Sequence, residues 1–177
     1  MKRFFAAAAI TLVCCLLLGC SSFGTGIKEP VTFYYPRSLV TYGHEDSIIA
    51  SELRESSGHT NDPDYLISLY LHGPMDDNLV SPFPQGTSLI SLQQEDHILY
   101  LTLSDSFANQ SNLDISIACA CLSKTCFELC NVEQVEIRTE SIPLGQTQTV
   151  VITKDNMQLH DNSAENITAP NPTKSED

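Results

Sequence analysis

Residues 118–130 read ACACLSKTCFELC and hold four of the chain's seven cysteines. Their spacing constrains the fold more than any other feature. On a helix turning ~100° per residue, Ile115, Cys119, Leu122, Cys126 and Leu129 recur at intervals of four and three. They form one apolar seam, with Cys130 beside it. Cys121 lies about 200° from Cys119 and points elsewhere. One helix therefore cannot gather all four sulfurs around a tetrahedral zinc, and the spacing is not the Cys-x-x-Cys of a redox pair. The seam predicts a helix over 111–130, opened by Ser111 with Asp114 as a capping pair. Asn131 is expected in the left-handed position at its end.

Residues 1–22 read MKRFFAAAAITLVCCLLLGCSS. Lys2 and Arg3 precede an apolar run, Phe4 to Leu18, and small residues follow, which is the layout of an export signal. The run is shorter than the ~20 apolar residues of a membrane-spanning helix. Cys14 and Cys15 lie inside it as small hydrophobes. Leu17-Leu18-Gly19-Cys20 resembles the lipobox of bacterial lipoproteins. That resemblance implies cleavage before Cys20, diacylglycerol on the Cys20 thiol and acylation of the new amino terminus, several chains together giving stable anchoring. The expected location is the extracytoplasmic face of the cell membrane, with the membrane itself as one partner. An exported chain meets an oxidising space, so a disulfide joins the readings of the cysteines. Cys126 and Cys130, one turn apart, have a workable Cα distance but poor Cβ geometry within a regular helix.

The formal net charge of −13 comes from 22 acidic against 9 basic residues. Such a balance disfavours nucleic acid as a partner, because phosphate binding needs basic neutralisation, and equally disfavours docking on anionic headgroups; no nucleic acid is expected. The organisation expected is a signal peptide over 1–19, a lipidated tether over 20–30, one α+β domain over 31–153 and a disordered acidic tail over 154–177. SSFGTGIKEP at 21–30 is Ser/Gly-rich and tether-like. VTFYYP at 31–36 alternates and ends at Pro, as a strand. IIASELRE at 48–55 reads as a strand, with a helix left open. NDPDYLISLYLHGP at 61–74 is a punctuated helix. Asp62 caps it, Pro63 takes the first position, Leu66, Leu69 and Tyr70 share a face, and Gly73-Pro74 stops it. TSLISLQQ and HILYLTLS, parted by Glu95-Asp96, predict a hairpin. VEQVEIRTE and TVVIT predict two more strands, Val135 and Ile137 facing one side of theirs. From Asp155 the chain lacks apolar residues to offset its ordering entropy.

The middle of the chain resembles the GerMN domain, the sporulation and spore-germination domain of bacterial cell-envelope lipoproteins. VTFYYP is similar to its opening strand. Arg54 falls where the family carries a basic residue, and LYLHGP at 69–74 resembles its leucine-rich helix ending in Gly-Pro. SPFPQGTSLI at 81–90 resembles its Ser-x-x-Pro-x-Gly-Thr loop. LTLS at 101–104 stands where the family has Val-Asp-Leu-Ser, with Thr102 in place of the Asp. TCFELCNVEQVEI at 125–137 resembles its closing helix and strand, Cys126 standing where Leu is usual. The resemblance spans roughly residues 31–140. It implies a sheet with two helices packed on it and a non-enzymatic envelope role, a protein contact or scaffold in sporulation or germination, with an unknown envelope protein as partner. It brings no catalytic residue and no cofactor.

A direct search for chemistry finds no metal or catalytic motif. His44, His59, His72, His97 and His160 form no His-Glu-x-x-His pattern, and His44-Glu45-Asp46 reads as a polar turn. No nucleophile elbow, phosphate-cradling loop or dinucleotide glycine pattern occurs. Asn109 and Asn166 head glycosylation sequons that a bacterial lipoprotein has no use for. Phe83 is either an exposed contact or a residue packed over its own sheet. Three functions remain open: a lipid-anchored interaction domain, an envelope enzyme or a regulator of a peptidoglycan-acting enzyme, and a metal- or redox-active domain. The four helical cysteines are buried small hydrophobes, a disulfide or a metal site.

Overall fold

The structure, a computed structural model, describes residues 27–38 and 48–161. The signal peptide with Cys14, Cys15 and Cys20, most of the tether, the His44-Glu45-Asp46 turn and residues 162–177 with Asn166 lie outside the described residues.

Strand β1 (Pro30–Pro36) pairs antiparallel with β2 (Ile49–Glu55), Phe33 opposite Glu52 and Tyr35 opposite Ala50. The helix reading of the second segment is thereby settled as strand. Val31, Phe33 and Tyr35 are buried on one face of this ribbon. Arg37 N donates to Ile48 O and Ser56 N to Glu29 O. Odd residues of β1 therefore bond to even residues of β2, and even residues of β1 turn their backbone groups to the opposite edge. Among the described residues no strand covers that edge; side chains and a loop do. Thr125 Oγ1 accepts the Tyr34 N–H at 3.0 Å. Tyr70 Oη donates to Tyr34 O at 2.8 Å, and Val80 N donates to Pro36 O at 2.9 Å.

Helix α1 (Pro63–Leu71) begins as its sequence demands, with Asp62 Oδ1 accepting from Tyr65 N at 3.1 Å and Pro63 in the first turn. It ends where Gly73 takes φ 93°, a left-handed value that costs glycine nothing. Leu66, Ile67 and Tyr70 are its buried residues, Leu69 being half-buried against the core.

A second sheet of four strands has the order β3-β4-β5-β6. β3 (Leu89–Glu95) and β4 (Ile98–Leu103) form the expected hairpin, turned by Asp96 at φ 51°. A 3-10 turn (Asp105–Ala108) and helix α2 (Asn112–Leu129) then carry the chain to β5 (Gln134–Thr139), which runs parallel to β4. β6 (Val150–Thr153) pairs antiparallel with β5. The fold is α+β, but with a ribbon and a four-stranded sheet rather than the one sheet expected. The β1 edge of the ribbon is met by Thr125 of α2, Tyr70 of α1 and the loop at Val80, so the two sheets do not merge there.

Three local expectations are corrected. Cys121 is fully buried, like Cys119. At ~100° per residue the buried positions of α2, from Cys121 through Leu122 to Ser123, span an arc of about 200°, because α2 packs against β1 on one flank and against β5 and β6 on another. Asn131 is not left-handed; Cys130 leaves the helix extended, at φ −122° and ψ 144°, aimed directly into the next strand. The disordered tail expected over 154–177 does not start at its first residue: β6 runs straight into helix α3 (Lys154–Asp161), with Lys154 Nζ over the Phe127 ring at 5.8 Å and 3.4 Å from Glu133 Oε1.

Candidate functional site

The residues that carry the family resemblance meet around the end of α1. Glu52 and Arg54 lie on the core face of β2, little exposed. Arg54 Nη1 donates to Glu52 Oε2 at 3.3 Å and to Gly73 O at 3.2 Å, and its guanidinium carbon stands 5.9 Å from the centre of the Phe33 ring. Glu52 Oε1 accepts the N–H groups of both Met75 and Asp76 at 2.8 Å. One carboxylate and one guanidinium thus hold the chain as it leaves the helix, on both sides of Pro74. A Cβ added to Gly73 would lie 3.4 Å from Ser81 Cβ, so the first motif loop touches the second.

That second loop, 81–88, is held by its own hydroxyls. Ser81 Oγ accepts from Phe83 N at 3.3 Å. Thr87 Oγ1 donates to Pro84 O at 2.9 Å. Ser104 Oγ accepts from Ser88 N at 3.0 Å and donates to Gly86 O at 3.2 Å. Next along the chain, Asp105 Oδ1 accepts from Ser141 N and Ile142 N. Those two backbone N–H groups hold its carboxyl below the usual range. Phe83 is packed, not presented: its ring meets Tyr70 edge-on at 5.3 Å and Phe107 at 5.9 Å. Thr102, in the place of the family's Asp, accepts from Arg138 Nε at 3.1 Å.

His59 and His72 serve local structure. His59 stacks on Tyr65 at 3.9 Å and lies 3.3 Å from Asp62 Oδ2. His72 Nδ1 is 2.7 Å from Ser68 O, a distance at which the ring nitrogen donates. An open groove of about 540 Å³ lies beside the ribbon, lined by Tyr34, Arg37, Ala50, Asp76 and Asn78 among others. Its carboxylate, Asp76, is held below the usual range by the backbone and side-chain amides of Asn78, which suits a turn rather than a proton-transfer group near neutrality.

The four helical cysteines separate. Cys119, Cys121, Cys126 and Cys130 are free thiols, so the Cys126–Cys130 bridge left open by the sequence is not formed. Burial pushes Cys119 and Cys121 up to about 12 and Cys126 well above its ordinary value. Such thiols are poor nucleophiles and poor ligands. Among the described residues no group of three or more His, Cys, Asp or Glu side chains could hold a metal ion, and no helix is long and apolar enough to cross a membrane. Sequence reasoning missed Glu52, whose only signal was an acidic residue two positions before Arg54 on one strand face. It also missed Thr125, a buried hydroxyl on a helix whose other buried residues, Ser123 apart, are apolar.

No curated protein matches the chain. Solved structures similar to the chain include the following. The tandem GerMN domains of the sporulation protein GerM from Bacillus subtilis share 21% identity at a TM-score of 0.48, over 63% of this chain and 39% of theirs. The first GerMN domain of that protein shares 13% at 0.49, over 71% of this chain and 98% of its own. A candidate lipoprotein of Clostridium perfringens shares 18% at 0.47, over 72% and 89%. The chain thus spans well under half of the tandem GerM structure. The sequence profile described as Germane, sporulation and spore germination, matches residues 32–145. That stretch takes in the ribbon, both motif loops, α2 and β5, and the chain belongs to the Germane family, the GerMN domains of sporulation and spore germination.

Proposed function

We propose that the chain is a lipid-anchored, non-enzymatic domain of the cell envelope that works by protein contact, as a scaffold in sporulation or spore germination. The observation that carries this reading is how the motif's polar groups are used. Glu52, Arg54, Thr87, Ser104 and Asp105 all hydrogen-bond to loop backbone. An acid–base site needs such groups converging on a substrate position; these are spent on shaping a surface. Support for the anchor is the Leu-Leu-Gly-Cys sequence ending at Cys20 and the short Ser/Gly-rich tether after it.

Labelled palmitate fed to producing cells is expected to enter the protein, and Cys20→Ala to abolish the label. A wild-type protein that stays unlabelled sinks the anchor. For the scaffold role, crosslinking in membranes of sporulating cells is expected to trap an envelope protein on the domain. Turnover of a peptidoglycan fragment by the purified chain would replace this reading with an enzymatic one.

A further inference from the structure

The edge of β2 points to a second copy of the same chain. Even residues of β2 bond to β1, as the Arg37–Ile48 and Glu29–Ser56 contacts require. Ser51, Leu53 and Glu55 therefore turn their backbone N–H and C=O groups outward. β2 has no strand partner on that side among the described residues. Ser51, Leu53 and Glu55 are exposed along it, Leu53 at 57%. Proteins usually blunt such an edge with Lys or other charges, Pro, a bulge, inward-pointing charged residues or a covering element. This one carries neither Lys nor Pro; its inward-pointing charges, Glu52 and Arg54, are already paired with each other within the chain, and Leu53 stands exposed between them.

We propose that two copies pair antiparallel along β2, centred on Leu53, joining their ribbons into one four-stranded sheet. The choice of occupant rests on self-complementarity. In this register Leu53 lies opposite Leu53 of the second copy, and Ser51 opposite Glu55. Both pairs are odd with odd, so both exchange backbone hydrogen bonds. Between them Glu52 falls opposite Arg54 of the second copy, twice by symmetry. The Glu52–Arg54 pair within each chain thereby extends into a four-charge ladder, and opposite charges across strands are favourable. Moving the centre to residue 52 sets Glu52 against Glu52, and moving it to residue 54 sets Arg54 against Arg54. Like charges directly opposite are unfavourable, so charge favours the centred register over those two. The interface is isologous, closes at two copies and exposes no further β2 edge. It depends on neither the lipid anchor nor an envelope partner.

The test is register-specific crosslinking of the full chain under mild oxidation, with the native cysteines present in every sample. Hydrogen-bonded antiparallel pairs stand about 5.5 Å apart at Cα, within disulfide reach. Leu53→Cys is expected to form a covalent dimer well above the wild-type background. Ser51→Cys alone and Glu55→Cys alone are expected at background, and a mixture of these two above it. All three sites are exposed, and unchanged circular dichroism shows that each variant folds. Dimer from Leu53→Cys no greater than background overturns the proposal, as does a mixture that stays at background. Self-crosslinking of Ser51→Cys as strong as that of Leu53→Cys overturns it too, and so does capture of a different protein in place of the second copy.

Discussion

Tyr35 and Tyr70 fasten strand to helix through their rings and hydroxyls together. The rings stack at 4.7 Å and 27°. Tyr35 Oη donates to Tyr70 O at 2.8 Å, and Tyr70 Oη donates to Tyr34 O at the same distance. Each tyrosine thus satisfies a carbonyl on the other's element. Phe33 and Phe83 meet the same Tyr70 ring edge-on, at 5.5 and 5.3 Å. Tyr70 is therefore the point where the ribbon, α1 and the Pro-rich loop touch.

Removing one hydroxyl should be felt because the carbonyl it serves has no strand partner. Tyr70→Phe keeps the ring and leaves Tyr34 O without its donor, a loss expected to cost about 1–3 kcal/mol. Tyr70→Ala removes the ring as well and is expected to cost about 3–5 kcal/mol. The double variant Tyr35→Phe/Tyr70→Phe should depart from the sum of the single ones, since the rings are in contact. Urea midpoints at constant slope check all three.

Glu52 is expected to govern the loop after α1 more than the core. Glu52→Ala leaves the Met75 and Asp76 N–H groups and Arg54 without their shared carboxylate. Water reaches those two N–H groups, so the cost should fall at the low end for charged hydrogen bonds, about 1–2 kcal/mol. Amide hydrogen exchange should quicken at residues 75 and 76 while the β4 and β5 amides keep their protection. Faster exchange in β4 and β5 would place Glu52 in the global folding unit instead.

How much of this was legible in the sequence follows from the range of the interaction involved. The start of α1 was readable because Asp62, Pro63 and the capped N–H of Tyr65 lie within four residues. So was the hairpin at Glu95-Asp96, where adjacent residues set the turn. The separation into two sheets was not, because it depends on Thr125 answering the N–H of Tyr34, 91 residues away. Periodicity likewise found the seam of α2 but placed Cys121 off it. An amphipathic pattern assumes one buried face, and α2 is flanked on two. Helix α3 was missed because Lys154–Asp161 is mostly polar; it extends directly from β6, and Lys154 is held by Phe127 and Glu133. Of the site, Arg54, the Gly-Pro stop and the hydroxyl-held loop were legible through the family resemblance, whereas Glu52 gains its role only from the fold.

Acid should loosen the 105–142 contact before neutral-pH stress does. The Asp105 carboxylate accepts from Ser141 N and Ile142 N, and its folded pKa is lowered by them. A group with a depressed folded pKa adds stability above its unfolded value, near ~3.9, and loses it as pH falls through the folded one. Asp62 and Asp76 are lowered in the same direction. Stability is therefore expected to hold from neutrality down to about pH 4 and to decline below it. Asp105→Asn should lower the denaturation midpoint at pH 7 and reduce its further fall between pH 4 and pH 2.5. An acid limb as steep as the wild type's would assign the pH dependence to other groups.

The thiols of α2 should report folding rather than chemistry. Burial raises all four, Cys119 and Cys121 to about 12, so at pH 8 almost none is thiolate, the form that reacts. Reaction with an aromatic disulfide reagent therefore needs the helix to open. Peptide mapping of residues 112–133 is expected to find Cys119, Cys121 and Cys126 unmodified in native protein and fully modified in denaturant. Cys130, at the helix end and slightly exposed, should react first as denaturant is raised. The order matters because α2 supplies Thr125 to the edge of β1: labelling of Cys121 ahead of Cys130 would mean that the flank facing the ribbon opens before the helix end, and that the two sheets part before either unfolds.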